Sequence, residues 1–389
     1  MQGEEGGDYP FCKASDISVA KKVLYKAQNY VTKHLVKLKR YNIIPTGSIV
    51  FAKIGEAMKK NNRAICQCDC CIDNNCQALI PLSNILSAFA FYILKCVDMQ
   101  WFDNAGTIPC ISVRKLMNSS IVFPLLSEQK AIAEFLDKKC GEVDALIADI
   151  QQEIETLEQY KRSVITETVT KGLDPSVPMK DSGIDWLGMQ PSQWEHYKGK
   201  YIFEQRNERG NQIELQLLSP TQNYGVIPQT MYEELSGMNA VKLNERVNLN
   251  ILKTIHKGDY CISLRSFQGG FEYSQYEGVV SPAYQVFYPT RAICEEYYKY
   301  LFKEKSFIAV MNSYTLSLRD GKNIAFSDFG NTMIPYPPIE EQQQIADYLD
   351  KKCKEIEGVI AEKQSQIETL ESYKKSLIYE YVTGKKEVG

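Results

Sequence analysis

The sequence predicts an α+β protein: two mixed α/β globular domains separated by two long antiparallel coiled-coil helices, with a pseudo-twofold internal repeat. Three observations carry that expectation. The chain has 389 residues, 44% hydrophobic and 24% charged, which is more than one ordinary domain and is the composition of a folded chain. Segments starting at Pro124 and Pro337 align without a gap, with 26 identities over the 47 positions from Pro124 to Thr170. A repeat this far apart means a doubled domain unit, because solenoid repeats run roughly 20 to 50 residues. Within each copy the apolar residues step by four and three, which keeps one helix face toward a partner.

Taken in order, residues 1–123 form the first globular domain. Met1 to Asp8 is acidic and glycine-rich and has neither the basic start nor the apolar run of a secretion signal, so the expected location is cytoplasmic. The uncharged stretch between Asp73 and Lys95 is broken by Asn74, Asn75, Pro81 and Asn84, so it reads as a strand, a turn and a buried helix, with no membrane span. Twelve cysteines spread over a long chain without an export signal read as reduced thiols.

Residues 124–172 form the first long helix. Its seam is Leu136, Cys140, Val143, Ile147, Ile150, Ile154, Leu157, Lys161 and Val164. Residues 173–195 are a connector, 196–336 the second globular domain and 337–385 the second long helix. That helix repeats the seam as Leu349, Cys353, Ile356, Ile360, Lys363, Ile367, Leu370, Lys374 and Leu377. Neither helix has an internal proline, and each starts just after one, where a helix can begin. Each would reach on the order of 60 Å. Copies this alike most economically pair with each other inside one chain; the alternative is that each packs only on its own domain.

The globular domains agree only in outline. Pro45-Thr46-Gly47 before a strand at Ile49 to Lys53 matches His256-Lys257-Gly258 before a strand at Tyr260 to Leu264, and each domain later has a short strand, a proline and a helix. Similar scaffolds with divergent surfaces suit the reading of two different half-targets. The net charge of −3 hides an asymmetry: residues 1–123 hold 15 Lys+Arg against 9 Asp+Glu, whereas residues 195–336 hold 15 of each. The first domain therefore has the basic excess that attracts phosphate.

Here a family resemblance appears. Pro337-Pro338, Glu341-Gln342, Ile345-Ala346, Leu349-Asp350, Tyr373-Lys374 and Val382-Thr383, with their first copy, resemble the conserved region of specificity subunits of type I restriction-modification systems. The connector, with Val169-Thr170-Lys171-Gly172-Leu173, Trp186-Leu187-Gly188 and Trp194-Glu195, is similar to that family's passage into the second target-recognition domain, and Ser263 to Gly270 and Ser281-Pro282-Ala283-Tyr284 also resemble it. One departure is a leader, Asp181 to about Gly210, that the first half lacks; the first recognition domain is short by roughly 30 residues at its amino end by outline alignment.

The resemblance implies a non-enzymatic subunit that binds a bipartite, asymmetric site in double-stranded DNA, with the helices fixing the gap. It also implies two DNA adenine methyltransferase subunits and motor/nuclease subunits as partners. S-adenosylmethionine, ATP and Mg would sit on those partners, with no cofactor and no metal here. The residues agree with that division. No Gly-Lys-Ser/Thr phosphate loop is present, and Ser281-Pro282-Ala283-Tyr284 lacks the second proline of an amino-methyltransferase loop and reads as a turn. His34, His196 and His256 stand far apart with no triad spacing. Cys66, Cys68, Cys70, Cys71 and Cys76 hold one C-x-x-C pair without a convincing second, so alternation of Cys66, Cys68 and Cys70 on one strand face is expected in place of zinc.

For DNA contact the candidates are Lys53, Lys59, Lys60, Asn61, Asn62 and Arg63, a strand end and basic turn suited to phosphates with asparagine as an adenine reader. In the second domain they are Arg265, Ser266 and Gln268 beside Gly269-Gly270, where missing side chains would let backbone approach the duplex. Arg319 and Lys322 form a further basic turn. The competing class is a non-enzymatic coiled-coil scaffold or protein-interaction module, which periodicity alone does not separate from a DNA reader.

Overall fold

The computed structural model describes residues 6–104, 106–209, 216–222, 224–237, 251–263, 270–314 and 324–388. The chain packs as two units, Met1–Gln152 with Glu362–Gly389 and, between them in sequence, Glu153–Ala361. Each unit thus holds one globular domain and a part of each long helix.

In the first unit a four-stranded sheet is built from β1 (Val23–Leu24), β2 (Ile49–Ala52), β3 (Arg63–Cys66) and β4 (Cys76–Leu79), in the order β1-β3-β2-β4. Strand β2 is buried at all four positions, the continuous apolar pattern of a strand covered on both faces. Its register is set by antiparallel pairs Ile49 with Ile65 and Ile49 with Leu79. Gly47, at φ 85°, makes the turn into β2 that a residue with a Cβ would strain. A separate sheet joins Asn29–Val31, Tyr9–Cys12 and Cys71–Ile72. Helix α1 (Lys33–Lys39) is capped by Thr32, whose hydroxyl accepts from Leu35 N–H at 3.2 Å. Helix α2 (Ser87–Lys95) buries Phe89 to Leu94 in one core with Ile132, Ala133 and Leu136 of the first long helix, α3 (Leu126–Lys171).

In the second unit β5 (Glu195–Lys198), β6 (Phe203–Arg206), β7 (Tyr260–Ile262), β8 (Phe271–Tyr273), β9 (Gln285–Pro289) and β10 (Met333–Tyr336) form a four-stranded sheet, β6-β9-β7-β8, and a pair, β5-β10. Helix α4 (Glu295–Leu301) lies in one core with Val169 of α3 and with Ile345, Ala346 and Leu349 of the second long helix, α5 (Ile339–Val382). That core is an aromatic cluster: the Phe203 ring lies 5.3–5.7 Å from Tyr260, Phe287, Tyr298, Phe302 and Phe329.

The long helices pair as the repeat predicts. In the first unit the start of α3 meets the end of α5, through Phe135 on Tyr381 at 4.4 Å and Lys374 on Asp144 at 2.5 Å. In the second unit the end of α3 meets the start of α5, with Lys161 bonding Glu357. The pairing is therefore antiparallel in each. Of the expected seam, Leu136, Val143, Leu349, Ile356, Ile367 and Leu377 are buried, and Ile147, Ile150, Ile154, Leu157, Ile360 and Leu370 are half-buried.

The two units also clamp their domains by the same chemistry. Gln129 is buried; its carbonyl accepts from Leu86 N–H at 2.8 Å, and its amide donates to Asn84 and Pro124 carbonyls. Its repeat counterpart Gln342 accepts from Cys294 N–H at 2.9 Å and donates to the Pro337 carbonyl. Tyr92 of α2 donates to Asp137 at 2.5 Å, and Tyr300 of α4 donates to Asp350 at 2.5 Å. Lys22 and Lys299 pair with the same two aspartates.

One expectation fails. Cys66, Cys68 and Cys70 do not alternate along a strand: β3 ends at Cys66, Cys68 is in a bend, and Cys70 pairs with Ile44 in an isolated bridge. The chain folds back between them, so the Cys66 and Cys70 sulfurs meet at 3.5 Å inside a core with Cys12 and Cys76. All twelve cysteines are free, and no group of three or more metal-type side chains poised for an ion occurs among the described residues. No described helix is long and apolar enough to cross a membrane.

Candidate nucleic-acid interface

The first and second candidate stretches turn out to hang from equivalent hairpins. Ile49 pairs with Ile65 and Leu79 as Tyr260 pairs with Tyr273 and Phe287. The loop between β2 and β3 carries Lys53 to Asn62; the loop between β7 and β8 carries 263–270. A hairpin anchors both ends of its loop in the sheet while the side chains between vary, which suits a reading element.

Within the first loop the structure divides the candidates. Lys59 and Lys60 are exposed, Lys59 within 2.6 Å of Glu56, and Lys53 is half-buried. Asn61 turns inward in a left-handed conformation, φ 56°, where its amide donates to the Val97 carbonyl and its oxygen accepts from Arg63 and from Met99 N–H. Asn62 donates to the Ser18 hydroxyl. These bonds occupy the donor and acceptor that bidentate adenine reading needs from Asn61.

Arg63 is corrected outright. It is fully buried and donates to Asn61 and to the Val97 carbonyl. The reason is register: Phe51 pairs with Arg63 as Ile262 pairs with Phe271, so arginine occupies the slot that a core phenylalanine fills in the second domain. Burial pulls its guanidinium down to about 10, because removing a cation from water disfavours its charged form. Lys95, also held down by burial and then by the charges of Arg63 and Lys374, stands at about 8.

In the second loop Arg265, Ser266, Gln268 and Gly269 lie outside the described residues, as do Arg319 and Lys322. Gly270 is described and buried; its carbonyl accepts from Ser263 N–H at 2.7 Å. Gly270 itself is therefore spent on closing the hairpin and is not open to a duplex. Beside this hairpin Arg206 makes a two-point bond with Asp259, at 2.6 and 3.0 Å, and stacks 4.4 Å from the Tyr288 ring centre. His256 sits between Glu277 at 2.9 Å and Glu208 at 3.0 Å. Burial pulls its imidazolium down, but the two carboxylates more than offset that and raise it above the ordinary histidine value. Ser281 to Tyr284 is a turn, closed by Tyr284 N–H to the Ser281 carbonyl at 3.1 Å.

A basic surface that the sequence reading passed over lies on α1. Lys33, Lys37, Lys39 and Arg40 are all exposed, and none forms an ion pair among the described residues. Lys37 and Lys39 fall in the last turn, where cations complement the helix dipole. The run Lys33-His34-Leu35-Val36-Lys37-Leu38-Lys39-Arg40 was the available signal; Val36 is buried and Leu35 half-buried against the domain, and the other six side chains face water. By contrast, a groove of about 990 Å³ in the second unit has most of its bases paired with carboxylates: Lys161 with Glu357, Arg162 with Glu158, Lys299 with Asp350 and Lys303 with Glu272. Phosphate would compete there with fixed carboxylates.

The comparisons with known proteins agree with a two-part chain. The family model described as "Type I restriction modification DNA specificity domain" matches residues 2–156 and again 191–369. A Methanocaldococcus jannaschii protein provisionally named as the type I restriction enzyme MjaX specificity subunit is 26% identical over 278 residues, 71% of this chain and 61% of that relative's length. The type I restriction enzyme MjaVIII specificity subunit of the same organism is 28% identical, over 76% of this chain and 69% of its own. A solved chain from work on complex assembly and conformational transition of the type I R-M system shares the fold, with a TM-score of 0.67 and 13% identity over 96% of this chain and 91% of that one.

Proposed function

This chain belongs to the family of the type I restriction modification DNA specificity domain, and on that premise we propose that it is the DNA-recognition subunit of a type I restriction-modification complex. Each globular domain reads one half of a bipartite, asymmetric site in double-stranded DNA, and the paired helices fix the unread gap. The observation that carries this reading is the doubled family match, which falls once on each globular domain with its helix.

The chemistry of the first half-site follows from exposed charge. Lys59 and Lys60 on the β2–β3 loop and Lys33, Lys37, Lys39 and Arg40 on α1 position phosphates. Base reading in the second half is assigned to Arg265 and Gln268, whose side chains carry the donors and acceptors that base edges need. The subunit is non-catalytic: two adenine methyltransferase subunits bring S-adenosylmethionine, and motor/nuclease subunits bring ATP and Mg. The names of the relatives, which are specificity subunits of restriction enzymes, support that division.

The test is expression of the full chain with the methyltransferase encoded beside it, followed by sequencing of host DNA for methylated adenine. A bipartite motif with a fixed gap is expected. A stable complex that leaves DNA unmethylated and unbound would overturn the reading in favour of a scaffold. In DNA titrations, Lys59→Ala and Lys60→Ala should each lower the slope of log affinity against log salt by about 0.9, whereas Arg63→Met should leave that slope unchanged.

A further inference from the structure

One turn of the first unit carries two sulfurs where the second unit has a serine and a glycine. Cys66 ends β3, and Cys70, four residues on, bridges Ile44. The same turn recurs in the second unit. Gly47 N–H donates to the Cys66 carbonyl as Gly258 N–H donates to that of Ser274, and Ile44 bridges Cys70 as Ile255 pairs with Gly278. Ser274 and Gly278 therefore hold the places of Cys66 and Cys70, so the turn folds without sulfur. In the first unit the two sulfurs face each other at 3.5 Å, in a core shared with Cys12 and Cys76.

Hydrogen bonding singles out one of them. The Cys12 and Cys66 thiols both donate to Cys70, and these bonds hold Cys70 well below the ordinary thiol range, against the opposing effect of burial. Donation to Cys70 and burial push Cys12 and Cys66 up. Cys70 is thus the thiolate, the form that attacks an oxidant, and Cys66 beside it keeps its proton. A cavity of about 340 Å³, lined in part by Asp16, Ala20 and Ala27, adjoins this core, because Ala20 and Ala27 pack against it; a molecule as small as hydrogen peroxide fits there.

We infer that Cys66 and Cys70 are a redox pair, closed to a disulfide by hydrogen peroxide and reopened by a dithiol, and that closure loosens α1. The Cys70 thiolate attacks one peroxide oxygen, the O–O bond breaks, and the departing hydroxide takes a proton from solvent, leaving a sulfenic acid and water. The Cys66 sulfur then attacks the Cys70 sulfur, the S–O bond breaks, and the hydroxyl leaves with the Cys66 proton as a second water. The thiols lose two electrons and the peroxide gains them. A dithiol reverses the step by exchange and is itself oxidised to a disulfide. Closure draws the sulfurs from 3.5 Å to about 2.05 Å. The adjacent Cys71 packs with Val31 and with Val36, the buried residue of α1, so movement of Cys70 reaches that helix and the exposed bases it carries. The inference rests on the sulfur geometry and not on DNA recognition.

The test uses the full chain, reduced and then treated with hydrogen peroxide. Of its twelve free thiols, two should be lost when counted in denaturant. Cleavage before Asp69 should leave Cys66 and Cys70 joined in the oxidised chain and separate after dithiothreitol. Cys70→Ser should lose no thiol to peroxide. Cys66→Ser installs the residue type that the second unit uses at that place, so it should fold, and it should leave a sulfenic acid on Cys70 that dimedone traps. Hydrogen exchange at 33–40 should quicken by about tenfold on oxidation, through loosened packing of Val36, and return on reduction. A full thiol count after peroxide, a link that joins Cys12 or Cys68 instead, or unchanged exchange at 33–40 in the oxidised chain overturns the proposal.

Discussion

The helix-facing and far sides of the two globular domains have diverged at different rates. On the helix side the contacts are nearly superimposable: Gln129 and Gln342, Tyr92 on Asp137 and Tyr300 on Asp350. On the other side the fourth strand is added at opposite edges, β1 parallel to β3 in one domain and β6 antiparallel to β9 in the other. A clamp made of a buried amide bonded at two or three points has few substitutes, because each orphaned group carries a desolvation cost. A sheet edge has many, since any strand satisfies it.

Six substitutions, in four tests, probe that contrast. Phe203→Ala should be the most disruptive, costing about 3–5 kcal/mol, and should loosen only the second unit, because its ring packs within that unit's own core; hydrogen exchange resolved by segment would show it. Loss of protection in both units would mean that the domains do not fold as separate cores.

Next come two lysines at one equivalent position. Lys303 bonds the buried Glu272 at 2.6 Å, while burial raises that carboxyl to about 7; the first domain has Ala64 where the second has Glu272. Lys303→Met should therefore cost about 1–3 kcal/mol by leaving a buried carboxyl without its donor, and the cost should grow as pH rises above about 7. Lys95→Met should instead stabilise the first unit. For Lys95 the folded value, about 8, lies below the unfolded one, so the native state binds fewer protons and stability rises as pH climbs from 8 toward 10.5. Urea unfolding of the two variants across that range checks both signs.

Gln129→Ala and Gln342→Ala should each cost about 1–3 kcal/mol, and by nearly equal amounts. A large inequality in their denaturation midpoints would break the symmetry of the clamp. The smallest effect belongs to His256. Its folded value is raised, so its contribution is complete below about pH 6.5, the unfolded value, and disappears as pH rises through the folded one. Exchange of the 253–260 amides should accelerate over that window, and His256→Gln should abolish the dependence.

What the sequence disclosed follows the same division. The repeat and its four-three stepping located both helices to within a few residues, because a coiled-coil seam is written in apolar periodicity alone. Gln129 and Gln342 were visible as identities, but their role needed the domain backbone that they bond. Tyr92 and Tyr300 were hidden because the domains have drifted by five positions against the helix alignment. Arg63 misled for a physical reason: beside two asparagines and two lysines it resembles a basic turn, and only strand register shows that it replaces a core aromatic. The α1 surface was legible in its lysine spacing; the composition count gave the domain its excess charge but not its address.

The discontinuity of the first unit also sets an order in time. Leu377, Ile378 and Val382 belong to the same core as Ile132 and Leu136, whereas the second unit is complete once Ala361 has emerged. At about 5–20 residues per second, a ribosome that has released residue 123 must work for roughly 10–50 s more before that core can close. The domain made first is thus finished last, and through that interval its apolar face is the part of the nascent chain most in need of a chaperone.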